Sequence, residues 1–256
     1  MRYDSHMHTA FSADSEMKAE EALERAERLG LGAIFTEHLD IDCPGEEDFT
    51  FDPQEYWKKY EPLRGERLHL GVEIGLTPES RAENRAFAET VPFDLVIGSI
   101  HLMEGYDIYY PEIYETRDKK ELYHDYLMMM AREVYQNSYI DVLGHIDYVA
   151  RYATYSDPGL HYEEFPEEID AVLGALIATD TVMELNTRRM GDPSVLEELL
   201  PIYRRYRELG GRYVTIGSDA HTPDAIGANF AAAEEFAEHC SLRQVYFCER
   251  RMEISR

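Results

Sequence analysis

Apolar residues fall along this chain in short runs, and seven of those runs end on a histidine, an aspartate or a glutamate. Met1–Tyr3 leads into Asp4-Ser5-His6-Met7-His8, Gly32–Thr36 into Glu37-His38, Leu68–Val72 into Glu73 and Leu95–Ile100 into His101. Ile140–Gly144 leads into His145-Ile146-Asp147, Thr181–Met183 into Glu184 and Tyr213–Ser218 into Asp219-Ala220-His221. Between the runs the apolar spacing becomes helical. Over Met17–Leu29 it places Ala19, Ala22, Leu23, Ala26 and Leu29 on one face, with Gly30 as the C-cap. The same reading predicts helices over Pro53–Leu63, Glu79–Thr90, Lys119–Ser138, Phe165–Thr179, Ser194–Leu209 and Asp224–Cys240, and an outer strand or tail at Val245–Cys248. Alternating strands and helices imply parallel strands with right-handed crossovers. Strands that all finish with functional side chains at one rim describe a β/α barrel. Seven strands instead of eight predict a distorted (β/α)7 TIM-like barrel, one α/β domain over residues 1–256. A doubly wound open sheet would not explain polar groups at the end of every strand.

Bulk properties narrow the function classes. A chain of 256 residues with 44% hydrophobic and 30% charged residues is an ordinary globular protein. No apolar stretch approaches the roughly 20 residues that span a bilayer, and the start shows no signal-peptide pattern. The expected location is the cytoplasm, with no membrane partner. The net charge is −26, from 51 acids against 25 bases. Such a field repels a nucleic-acid backbone, so nucleic acid is not an expected partner. It repels a small phosphorylated substrate too, so a phosphate site needs local positive charge from metals or arginines. Cys43, Cys240 and Cys248 form no CxxC pair and no disulfide framework, and read as reduced thiols.

The histidines change the picture most. Six of ten (His6, His8, His38, His101, His145 and His221) sit at predicted strand ends. His6-x-His8 puts two imidazoles on one side of an extended segment, where both can grip one ion. Asp219-x-His221 repeats that spacing, and Glu73 stands in a glycine-flanked strand end, Gly71-Val72-Glu73-Ile74-Gly75. Imidazole and carboxylate together suit zinc, iron or manganese.

With Asp4-Ser5-His6-Met7-His8-Thr9, Phe11-Ser12-Ala13-Asp14, Thr36-Glu37-His38, Gly98-Ser99-Ile100-His101, Gly144-His145-Ile146-Asp147, Glu184-Leu185-Asn186-Thr187 and Gly217-Ser218-Asp219-Ala220-His221 in place, the chain resembles the PHP superfamily, and within it the histidinol-phosphate phosphatases. The resemblance implies a trinuclear metal site. One ion would take His6, His8, Glu73 and Asp219. A second would share Glu73 and add His101 and His145. A third would take Asp14, His38 and His221, with Asp14 where many members carry a histidine.

The implied reaction is hydrolysis of L-histidinol phosphate to L-histidinol and inorganic phosphate in histidine biosynthesis, with a metal-bridged hydroxide as nucleophile. Arg151, with Arg188 or Arg189, would clamp the phosphate, and Asp219 or His221 would relay a proton to the leaving alkoxide. Glu37, Asp147 and Glu184 are placed to orient imidazoles. Segment 104–115, with Glu104, Asp107 and Glu115 among tyrosines, is the expected reader of the substrate's cationic end. Competing readings are a phosphoesterase for another small ester, a nucleotide or phosphotyrosine, an amidohydrolase-like metallohydrolase, and a noncatalytic metal-binding domain.

Overall fold

The computed structural model describes residues 1–255. Seven strands lie side by side in chain order, all parallel: β1 (Arg2–Met7), β2 (Leu31–Leu39), β3 (Leu68–Gly75), β4 (Leu95–Ser99), β5 (Val142–Leu143), β6 (Val182–Asn186) and β7 (Tyr213–Gly217). They are buried on both faces almost throughout, which is why they read as continuous apolar runs instead of alternating ones. Beyond the end of β7 the chain returns to β1. Asp219 N–H donates to His6 O at 2.8 Å and His8 N–H to Ala220 O at 2.8 Å. That narrow seam, and a β5 of only two residues, account for the distortion expected of a seven-stranded barrel.

Helices α1 (Ala19–Leu29), α2 (Pro53–Tyr60), α3 (Arg81–Ala88), α5 (Lys119–Gln136), α7 (Pro166–Thr179), α8 (Pro193–Leu209) and α9 (Phe230–His239) fall within the predicted segments or start within a residue of them. Asp52, Asp118 and Asp192 cap three of them by accepting backbone N–H groups. Two corrections stand out. The helix expected over Asp224–Cys240 is broken: a 3-10 turn at Pro223–Ala225 precedes α9, and Gly227 (φ 68°) and Asn229 (φ 59°) stand between them in left-handed conformation. Two short helices, α4 (Glu112–Thr116) and α6 (Tyr148–Tyr152), and a hairpin pairing Leu102–Met103 with Tyr106–Asp107 were not legible as elements.

The C-terminal piece is a hairpin of β8 (Arg243–Cys248) and β9 (Arg251–Ile254), with β8 continuing the sheet alongside β7. Asp94, at the opposite end of the strands from the histidines, ties this hairpin down. It accepts Arg64 Nε (2.8 Å) and Nη2 (2.6 Å), Leu70 N (2.9 Å) and Glu249 N (2.8 Å). Among the described residues, no helix is long and apolar enough to cross a membrane.

Candidate metal centre

The rim at the strands' C-terminal ends gathers every predicted ligand. A bulge in β1 between Asp4 and Met7 adds a residue at the point where His6 leaves the ladder. It turns His6 and His8 toward the barrel mouth with their Nε2 atoms 3.1 Å apart. Glu73 Oε2 lies 3.2 Å from His6 Nε2 and 3.5 Å from His8 Nε2, and Asp219 Oδ1 lies 4.0 and 3.6 Å from the same atoms. Ligands about 2.0–2.1 Å from a tetrahedral ion stand roughly 3.3 Å from one another, so these spacings match the edges of a zinc-sized tetrahedron. Glu73 Oε2 is buried and has no hydrogen-bond partner, which is the condition of an oxygen waiting for a cation.

Glu73 Oε1 faces a second group, with His145 Nε2 at 2.9 Å and His101 Nε2 at 3.3 Å. At the mouth, Asp14 Oδ2 stands 3.0 Å from His221 Nε2 and 3.7 Å from His38 Nε2. His38 also turns Nδ1 to within 3.0 Å of Glu73 Oε2, so it borders two of the three groups. Burial alone would raise the pKa values of Glu73 and Asp219. The rings around Glu73, and Arg151 with the rings around Asp219, outweigh it and hold both well below the usual carboxylate range.

The outward nitrogens of His6 and His101 are held as well. His6 Nδ1 meets Glu184 Oε1 at 2.7 Å, and the other oxygen of Glu184 accepts His145 N–H at 2.8 Å. His101 Nδ1 meets Asp40 Oδ1 at 2.9 Å. Such carboxylate–imidazole pairs orient a ring and raise its basicity toward a metal. A Cβ at Gly217 would overlap His6 and Glu184, and one at Gly75 would overlap Asp40, so each glycine leaves room for an orienting carboxylate. Asp219 itself adopts φ 55°, which aims its carboxylate across the seam.

The predicted helpers separate. Arg151 is buried beside the cleft, donating to Asp219 Oδ2 (2.7 Å) and Asn186 Oδ1 (3.2 Å), and its buried Nε has no partner. Arg188 lines the cleft with its side chain 44% exposed and Nη1 3.3 Å from Asp219 O. Arg189 points elsewhere, onto Asp147 Oδ2 (2.6 Å) and Glu198, so neither Arg189 nor Asp147 reaches the rings. Glu37 touches no imidazole directly but holds Thr9 and Ser12.

Of the acids in segment 104–115, Asp107 alone lines the ≈ 400 Å³ cleft, together with Tyr109 and Tyr110. Glu104 borders a separate hollow and Glu115 is exposed. Sequence reasoning gave no role to Asp40, Ser12 or Asn186. Asp40 and Asn186 did carry a signal, each standing two residues after a rim residue, His38 or Glu184. A further His69–Asp94–Cys248 group lies at the other end of the strands. The Asp94 carboxylate there is already filled by four donors, two of them from a guanidinium, which leaves no lone pair for a cation.

The family pattern of the PHP domain matches residues 4–188. The chain is 45% identical over 255 residues to the probable histidinol-phosphatase of Clostridium acetobutylicum, covering 100% of both chains. It is 33% identical to the histidinol-phosphatase of Lactococcus lactis, covering 86% of this chain and 84% of that one. The crystal structure of histidinol phosphate phosphatase from Lactococcus lactis, complexed with zinc, L-histidinol and phosphate, superposes with a TM-score of 0.93 at 29% identity and covers 98% of each chain.

Proposed function

Because the chain belongs to the PHP domain family, in its histidinol-phosphatase group, we infer that it is a metal-dependent phosphomonoesterase hydrolysing L-histidinol phosphate to L-histidinol and phosphate. The observation that carries this reading is Glu73, a fully buried carboxylate whose Oε2 faces nitrogens of His6, His8 and His38 and whose Oε1 faces those of His101 and His145.

His6, His8, Glu73 and Asp219 would hold one ion, Glu73, His101 and His145 a second, and Asp14, His38 and His221 a third. Zinc, iron and manganese all suit this donor set. Bound ions supply Lewis acidity toward phosphoryl oxygens and a water made nucleophilic near neutral pH. The chain's own groups do the rest. Arg151 lines the cleft with its guanidinium held by Asp219 and Asn186, and the Arg188 guanidinium offers donors at the open side. Asp219 and His221 both line the cleft and are the groups placed to pass a proton to the departing alkoxide. Asp107, Tyr109 and Tyr110 form a wall of one carboxyl and two rings, matched to a substrate carrying an ammonium and an imidazole.

The test is phosphate release from L-histidinol phosphate beside a panel of nucleoside monophosphates, sugar phosphates, phosphotyrosine and p-nitrophenyl phosphate. The expected result is a kcat/KM for L-histidinol phosphate well above every other ester. A higher kcat/KM on any other member would reject this substrate.

A further inference from the structure

Four rim imidazoles have their outward nitrogen in a hydrogen bond: His6 on Glu184, His101 on Asp40, His221 on the Asp219 carbonyl and His8 on Ser12. Ionised carboxylates only accept, so His6 and His101 must present Nδ1–H to them. A serine hydroxyl can donate or accept, and the His8–Ser12 contact at 3.1 Å does not by itself say which nitrogen of His8 carries the proton.

The other neighbours of Ser12 decide it. Ser12 Oγ lies 2.8 Å from Glu37 Oε2 and 3.0 Å from the backbone nitrogen of His38. The His38 N–H can only donate, so it occupies one lone pair of Oγ. Glu37 Oε2 also receives the Thr9 N–H at 2.9 Å, and as an oxygen of an ionised carboxylate, which only accepts, it is the acceptor toward Ser12 as well. The single hydroxyl proton of Ser12 goes to Glu37, and the lone pair that remains on Oγ must take a proton from His8 Nδ1. Glu37 cannot turn away, since Thr9 Oγ holds its other oxygen at 2.6 Å with the Tyr60 hydroxyl behind it at 3.0 Å. With Nδ1 carrying its proton toward Ser12, the lone pair of the neutral ring lies on Nε2.

We propose that Ser12 and Glu37 are positioning residues that fix His8 as the Nδ1–H tautomer, so that its Nε2 lone pair faces His6, Glu73 and Asp219 before any metal arrives. The tautomer follows from hydrogen bonding alone, while its use in metal capture rests on the function proposed above. Neither residue touches the reacting atoms. The relay runs from Glu37 on β2 through Ser12 to His8, both in the β1–α1 segment, so two segments agree on one proton.

The readout is the 15N spectrum of histidine side chains in metal-free, full-length protein at mildly alkaline pH, with the His8 signals identified by their loss in His8→Asn. Wild type is expected to show protonated Nδ1 and bare Nε2 on His8. Ser12→Ala removes the acceptor and is expected to shift His8 toward the Nε2–H form, and Ser12→Thr to restore the wild-type pattern. Glu37→Gln is expected to keep it, because the Thr9 N–H fixes the amide oxygen at the Oε2 position. Zinc affinity by chelator competition should fall about 10- to 100-fold in Ser12→Ala and recover in Ser12→Thr. Ser12→Cys, whose thiol is a poor acceptor, repeats the test if the alanine variant does not fold. An Nε2–H tautomer in wild type, or an unchanged tautomer in Ser12→Ala and Ser12→Cys, overturns the proposal. Wild-type protein that keeps the Nδ1–H form yet binds no zinc would undo the proposed function and leave the tautomer assignment standing.

Discussion

Arg151 lines the cleft with Nη1 on Asp219 and Nη2 on Asn186, so its fork is already aimed at the rim. A lysine at that place keeps the charge but loses the fork. Arg151→Lys should therefore lose roughly 10- to 100-fold in kcat/KM, the worth of one or two charge-assisted hydrogen bonds, with zinc content unchanged by metal analysis. Full activity in this variant would remove Arg151 from phosphate binding. Asp107 makes a different demand. Asp107→Asn should raise KM for L-histidinol phosphate and leave kcat/KM for p-nitrophenyl phosphate, which has no cationic end, as it was. The set that gathers at the rim was legible because most of its members stand at a strand end, and a strand end is visible in sequence. Asp40 and Ser12 were passed over because their roles exist only between segments, Asp40 just after β2 against His101 after β4, and Ser12 between His8 and Glu37.

At the scale of elements, the rim depends on what holds the other end of the strands. Asp94, fully buried, joins Arg64, the start of β3 and the turn into the terminal hairpin. Removing one partner of a buried pair strands the other, so Asp94→Ala should cost about 3 kcal/mol of stability, measured by denaturant unfolding. An unchanged midpoint would mean the hairpin is held elsewhere. Burial pushes the Asp94 carboxyl up, but Arg64 and the Leu70 and Glu249 amides outweigh it and hold it below its ordinary 3.8. A lowered folded-state pKa gives stability that is present above the unfolded value and is lost as pH falls through the folded one. The acid limb of the Tm profile should accordingly be shallower in Asp94→Asn than in wild type. The helices that sequence located best are those with a clear 3.6-residue apolar repeat. The failures are informative: α4 and α6 have five residues each, too few to show a period, and the break before α9 turns on two left-handed residues inside an otherwise helical pattern.

At the scale of the molecule, a net charge of −26 surrounds a site meant for an anion. Screening operates over about 8–10 Å at ordinary salt, so added salt weakens this repulsion more than it weakens contacts inside the cleft. The kcat/KM for dianionic p-nitrophenyl phosphate should rise with ionic strength, and rise less for L-histidinol phosphate, whose ammonium offsets part of the charge. Equal slopes would show that the global field does not reach the substrate. The barrel order, the single rim and the gathering of ligands there follow from the β/α alternation. The narrow β1–β7 seam does not, because it depends on the conformation of Asp219 and on the β1 bulge, which have no local pattern of their own. One titration tests the metal-dependent reaction most directly: strip the protein with a chelator, return zinc in steps, and follow phosphate release from L-histidinol phosphate against zinc bound per chain. The account predicts no turnover in stripped protein and turnover that climbs with zinc until three ions are bound. Turnover in the stripped protein, or none in the fully loaded one, would contradict it.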